Sequence, residues 1–157
     1  MAGSYMAQIG MVLALGLGAL GSSLGILTAG VSAAGAWARD ARAGKPISFT
    51  YIIFVAAPIS QTLYAMIVMN NLSTALSGAQ GAALAVKYAG QFLAIGLATG
   101  LGELASAWGQ GIIGAAACRC LSEGEGKGFA FLVIAIGIIE TVGIFTMVFM
   151  LGMVPKA

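Results

Sequence analysis

Between Phe129 and Met153 the chain is apolar throughout apart from one ionisable side chain, Glu140, set in the stretch "GIIETVGIF". A run of this length crosses a bilayer as a helix, because ~20 apolar residues span the hydrocarbon core. A charge at mid-span costs at least ~2.5 kcal/mol even on the lenient insertion scales. Glu140 therefore faces lipid only when its charge is cancelled, by a proton that desolvation favours or by a bound cation. A permanently protonated, hydrogen-bonded structural glutamate is the plain alternative.

Three more apolar segments precede this one. The polar stretches "ARDARAGKP" (Ala38–Pro46), "NNLSTALSGAQG" (Asn70–Gly81) and "RCLSEGEGKG" (Arg119–Gly128) divide the chain into candidate helices at about residues 7–38, 47–72, 82–118 and 128–152. Each is long enough to span, and the first and third are longer than the core requires, so their ends project into water. Only 8% of the 157 residues are charged, against about a quarter in a soluble domain. That is too few to coat a water-facing surface. Spanning helices satisfy their own backbone groups, as lipid demands, and alternating barrel-type strands are absent. The fold class is an all-α membrane protein with four transmembrane helices.

Several function classes drop out. A scattered net charge of +2 gives no nucleic-acid footprint. Cys118 and Cys120 form a lone C-x-C, with no disulfide framework and no four-ligand zinc set, and read as small apolar fillers. No phosphate loop, nucleophile–base pair or metal motif marks a stand-alone enzyme. The start, "MAGSYMAQIG", has no basic residue before the first apolar segment, which also outruns a signal peptide's core, so the segment reads as a retained helix. Arg39, Arg42, Lys45, Arg119 and Lys127 lie after spans one and three, and only Lys87 and Lys156 lie at the other side. The positive-inside rule then puts loops 39–46 and 119–127 in the cytoplasm and both termini outside.

The chain repeats with a period near 80 residues, giving helical hairpins at residues 1–80 and 81–157. Aligning them sets "PISQTLYAMIVM" over "GIIETVGIFTMV", so Gln61 occupies the position of Glu140. Of the 29 residues from Gly10 to Ala38, 14 are Gly or Ala, as are 14 of the 28 from Gly90 to Ala117, but only 4 of the 23 from Phe129 to Leu151. Small residues let helices approach closely in lipid. The rows Gly21, Gly25, Ala29 and Ala107, Gly111, Ala115 are of this kind. Spans one and three are expected to pack densely on an inside, with two and four around them. Two hairpins have little inside to fill, and a ring of many copies would supply one.

Deep polar residues are few: Ser60, Gln61 and Tyr64 on span two, Glu103 and Gln110 on span three, and Glu140 and Thr141 on span four. Ser60, Gln61 and Tyr64 share one helix face by spacing. Pro58 removes a backbone donor and frees a carbonyl one turn back, near residues 54–57. A carboxylate, amide oxygens, a hydroxyl and a carbonyl make a hard-oxygen set, suited to an alkali cation or a proton rather than to zinc or copper. Glu103, seven residues before Gln110, is expected to line the inner, water-reached surface of a ring. A second ion site is the lesser reading.

The doubled hairpin, "GIIETVGIF" and "PISQTLYA" together resemble the proteolipid rotor subunit of V-type and archaeal-type ATPases, also called the c or K subunit, over essentially the whole chain. The sodium-translocating members are the most similar. The resemblance implies a homo-oligomeric rotor ring in a prokaryotic cell membrane. It implies Na+ held by Glu140, Gln61, Gln110, Ser60 and the backbone carbonyl of Ala57, with the Tyr64 hydroxyl closing the site. It also implies a stator subunit with an arginine facing Glu140, a central-stalk subunit on the cytoplasmic loops, and no organic cofactor. Glu103 departs from the family pattern, where a small or neutral residue is expected. The alternatives are the same rotor carrying H+, or a multi-pass channel or structural membrane protein.

Overall fold

The computed structural model describes residues 2–156, with side chains from Gly3 onward. It is all-helical among the described residues: α1 (Ala2–Arg42), α2 (Tyr51–Ala56), α3 (Ile59–Ser77), α4 (Gly81–Lys87), α5 (Ala89–Glu123) and α6 (Phe129–Gly152). Four spans are long and apolar enough to cross a membrane: Gly3–Arg42, Tyr51–Ser77, Ala89–Glu123 and Phe129–Gly152. The four-span, all-α expectation therefore holds. At 40 residues, the first span is about 60 Å long by helix rise, roughly twice the hydrocarbon thickness.

The helix ends differ from those expected. The first span runs on to Arg42 because Arg39 and Arg42 sit favourably in a last turn, where the backbone dipole is negative. The second continues to Ser77 because its polar residues serve the helix itself. The Asn71 side-chain amide donates to the Ile67 carbonyl at 2.9 Å, and the Thr74 hydroxyl to the Asn70 carbonyl at 2.9 Å. The third begins at Ala89, not near residue 82, and Gly81–Lys87 forms a separate short helix that ends at Tyr88.

Pro58 splits span two into α2 and α3. Lacking an N–H, it leaves Phe54 O free of the usual helix bond, and the chain tightens through Ser60 N to Ala57 O and Gln61 N to Pro58 O, both 3.4 Å.

The small-residue faces of α1 and α5 meet backbone to backbone. Gly10 lies on Phe92 and Gly96, Gly21 on Leu104, and Gly25 on Ala107 O and Gly111. A Cβ on Gly114 would stand 2.8 Å from Phe54 O and 3.2 Å from the Ala29 Cβ. Ser32 Oγ donates to Ala115 O at 2.6 Å. The two glycine rows read from the sequence thus face each other. α6 is the least buried span, and its Phe131, Ile134, Ile138, Phe145 and Phe149 point outward.

Two apolar cores occupy the two ends of the bundle. Ala33, Tyr51, Phe54, Cys118, Leu121 and Ile136 fill the end near the α1–α2 and α5–α6 connections. Ala7, Val68, Leu72, Phe92 and Ile95 fill the other. Polar side chains collect between them. Cys118 is buried in the first core as an apolar filler, whereas Cys120 is exposed.

At the connection end Asp40 is buried and ties three helices together. It accepts from the Tyr51 hydroxyl at 2.6 Å and the Ser122 hydroxyl at 2.7 Å, next to the Arg39–Glu123 ion pair. Asp40→Ala would strand both hydroxyls in a dry setting. Thermal unfolding of the detergent-solubilised protein should show a loss of about 2–4 kcal/mol; an unchanged midpoint would deny the cluster its clamping role.

Candidate functional site

Sequence places the polar residues in the middle of each span, and packing brings them to one level between the apolar cores. On α6, Glu140 is half-buried, and its Oε1 accepts a hydrogen bond from the Tyr64 hydroxyl at 3.0 Å. One turn earlier on the same face of α3, Gln61 is fully buried. Its Nε2 donates to Ser60 Oγ at 3.3 Å, and Ser60 Oγ donates to the Ala57 carbonyl at 3.0 Å. Ala57 O is one of the carbonyls at the Pro58 break, so the helix interruption and the polar cluster coincide. Five of the expected residues thus fall into two bonded groups, Tyr64–Glu140 and Gln61–Ser60–Ala57.

Gln110 comes from α5, and no hydrogen bond joins it to either group. It is fully buried and precedes Gly111, which rests on Gly25, which in turn touches Pro58. Neither its Nε2 nor its Oε1 has a protein partner, and Gln61 Oε1 has none either. Buried polar atoms are rarely left so in a native interior. The unpartnered Gln61 oxygen and Gln110 amide, with the Glu140 carboxylate, the Ser60 hydroxyl and the Ala57 carbonyl, are an oxygen set of the kind that suits a small, hard cation.

One expectation fails here. Glu103 is not on a water-reached surface: it is fully buried, its Cβ 3.5 Å from where a Cβ on Gly18 would lie, with Oε2 turned toward Gly143. Spacing from Gln110 puts both residues on one face, as the structure does, but that face packs against α1, α3 and α6 rather than lining an open interior. Thr141 is exposed, and its hydroxyl donates to Ile138 O of its own helix at 2.7 Å.

Other contributors give no signal in the sequence. Ser22 Oγ donates to Pro58 O at 2.6 Å and accepts from Thr62 Oγ1 at 2.8 Å, pinning the break in span two to α1. Ser106 Oγ donates to Ile139 O at 2.8 Å, holding α6 beside α5 next to Glu140. Gly143 has no Cβ, and one built there would overlap Gln61 Oε1 and lie 2.6 Å from Glu103 Oε2. A serine or glycine within a small-residue span carries nothing that separates such roles from plain close packing. No group of three or more His, Cys, Asp and Glu side chains able to hold a metal occurs among the described residues.

A protein-family model for the C subunit of ATP synthase matches the chain twice, over residues 9–70 and 93–153, one match in each half. Comparison with curated protein sequences gives no significant match.

Proposed function

The chain belongs to the ATP synthase C-subunit family, matched over both halves, and from that premise we propose that it is the sodium-carrying rotor subunit of a V-type rotary ATPase. Membership makes it an ion-carrying, ring-forming membrane subunit of a rotary ATP synthase. The Tyr64–Glu140 hydrogen bond, together with the unpartnered Gln61 oxygen and Gln110 amide, supports Na+ as the ion.

In this reading Glu140 supplies the charge that binds the ion. The Gln61 and Gln110 side-chain oxygens, Ser60 Oγ and Ala57 O supply neutral oxygens. The Tyr64 hydroxyl holds the carboxylate in its closed position. With the ion bound the site is neutral, and Glu140 rides past lipid without the cost of a bare charge. An arginine on a stator subunit competes for Glu140 and releases the ion into an exit half-channel. ATP turnover in a soluble head drives the rotation, or the ion gradient drives it in reverse. The connections at residues 39–46 and 119–127 face a central stalk on the cytoplasmic side of a prokaryotic cell membrane, with both termini outside.

Carbodiimide labelling of Glu140 in the purified ring tests the ion. Na+ should protect Glu140 at neutral pH. Tyr64→Phe, which removes one hydrogen bond to a charged group worth about 1.5–3 kcal/mol, should raise the Na+ concentration needed by roughly ten- to a hundredfold. Labelling indifferent to Na+ would leave H+ as the ion carried.

A further inference from the structure

Glu103 presents a second problem of charge, independent of Glu140. It is fully buried, and neither carboxylate oxygen has a hydrogen-bond partner. None of the seven Lys and Arg residues is near mid-span. The nearest basic residue along α5, Arg119, is about 24 Å away by helix rise. A bare carboxylate in that position is prohibitive, so a cation must cancel it.

The surrounding oxygens indicate which kind. Gln61 Oε1 and Glu103 Oε2 converge on the space left by the missing side chain of Gly143, and Gln61 Oε1 has no protein partner. One turn along the buried face of α5, Thr99 Oγ1 is unpartnered too. This is unusual among the helical threonines. Thr28, Thr74, Thr141 and Thr146 donate to carbonyls of their own helices, and Thr62 donates to Ser22. A proton shared between Glu103 and Gln61 would satisfy one oxygen pair and leave the other carboxylate oxygen and the threonine hydroxyl unmatched. A metal ion takes several oxygens at once.

We propose that Glu103, Gln61 and Thr99 form a second site for a monovalent metal cation inside the subunit, so that each subunit holds a resident ion as well as a carried one. This ion is resident because Glu103 is enclosed by its own subunit, whereas Glu140 is half-exposed. The inference rests on the packing around Glu103, and shares with the proposed function only the Gln61 side chain and sodium as the probe. Gln61 links the two sites: its single side-chain oxygen is shared between the resident and the carried ion, and its Nε2 donates to Ser60 of the carrier cluster.

Equilibrium binding of radioactive Na+ to purified rings, at a concentration saturating the wild type, tests this. The wild type should bind two ions per subunit, Glu140→Gln one, Glu103→Gln one and the double variant none. If Glu140→Gln binds none, the inference is overturned and a proton closes Glu103. If Glu103→Gln binds as many ions as the wild type, it is overturned as well. Should Glu103→Gln fail to assemble, the count for Glu140→Gln decides alone. A count of one for the wild type, unchanged in Glu140→Gln and abolished in Glu103→Gln, upholds the resident ion and defeats sodium as the carried one.

Discussion

Glu140→Gln is expected to leave the ring assembled while removing ion-coupled ATP turnover and carbodiimide sensitivity. The amide has nearly the shape of the carboxyl, and its oxygen still accepts from Tyr64, the one hydrogen bond that Glu140 makes. Half-buried at the edge of the polar level, the side chain carries little of the packing, which is concentrated between α1 and α5. Assembly therefore has no reason to suffer. The ion does. The attraction between a unit charge pair about 4 Å apart at a protein-like dielectric is near 4 kcal/mol, so removing it lowers affinity on the order of a thousandfold. In the proposed mechanism the stator arginine would likewise lose the charge with which it competes. Purified complex should hydrolyse ATP without moving ions, or not turn at all, and in neither case label at residue 140. Normal pumping by this variant would remove Glu140 from the mechanism altogether.

How much of this is visible in the sequence depends on whether the signal is one-dimensional. The four spans follow from apolar length and from where charges cluster, and both are properties of the string. The close approach of α1 and α5 is legible because glycine and alanine rows have one physical use in lipid. The helix ends are less so, since Asn71 and Thr74 read as loop residues but bond to their own helix. Glu103 escapes for a different reason. Spacing gives the angle between two residues on a helix, but not which neighbour that face meets, and the crossing of α1, α3 and α6 decides it. Gly143 is silent for the same reason: its role is an absent Cβ at one point where Gln61 and Glu103 converge. Asp40 looks like one more charge in a polar loop, yet its burial depends on Tyr51 and Ser122 reaching it from two other helices.

The α1–α5 contact carries the other large effect. Glycine-to-alanine changes in a helix interior ordinarily stabilise, by up to about 1 kcal/mol, because alanine is the better helix former. Gly137 fits that case, with nothing within 4 Å of a built Cβ. Gly25 does not. A methyl there would overlap Ala107 O and stand 2.8 Å from the Pro58 Cβ, so both α5 and the bend in span two must move. Rigid backbone cannot yield as a side-chain tip can, and overpacking of this kind costs about 1–3 kcal/mol for a small group and more for a large one. Gly25→Ala should therefore destabilise the subunit where Gly137→Ala does not, and Gly25→Val should abolish ring recovery in mild detergent. Insertion should be unaffected in all three, since span hydrophobicity is retained. The displacement also pulls Pro58 away from Ser22 and disturbs Ala57 O and Ser60, so any Gly25→Ala ring that does form should bind Na+ more weakly. Wild-type ring yield from Gly25→Val would mean that α1 and α5 do not need this contact, and the scaffold beneath the ion site would have to lie elsewhere.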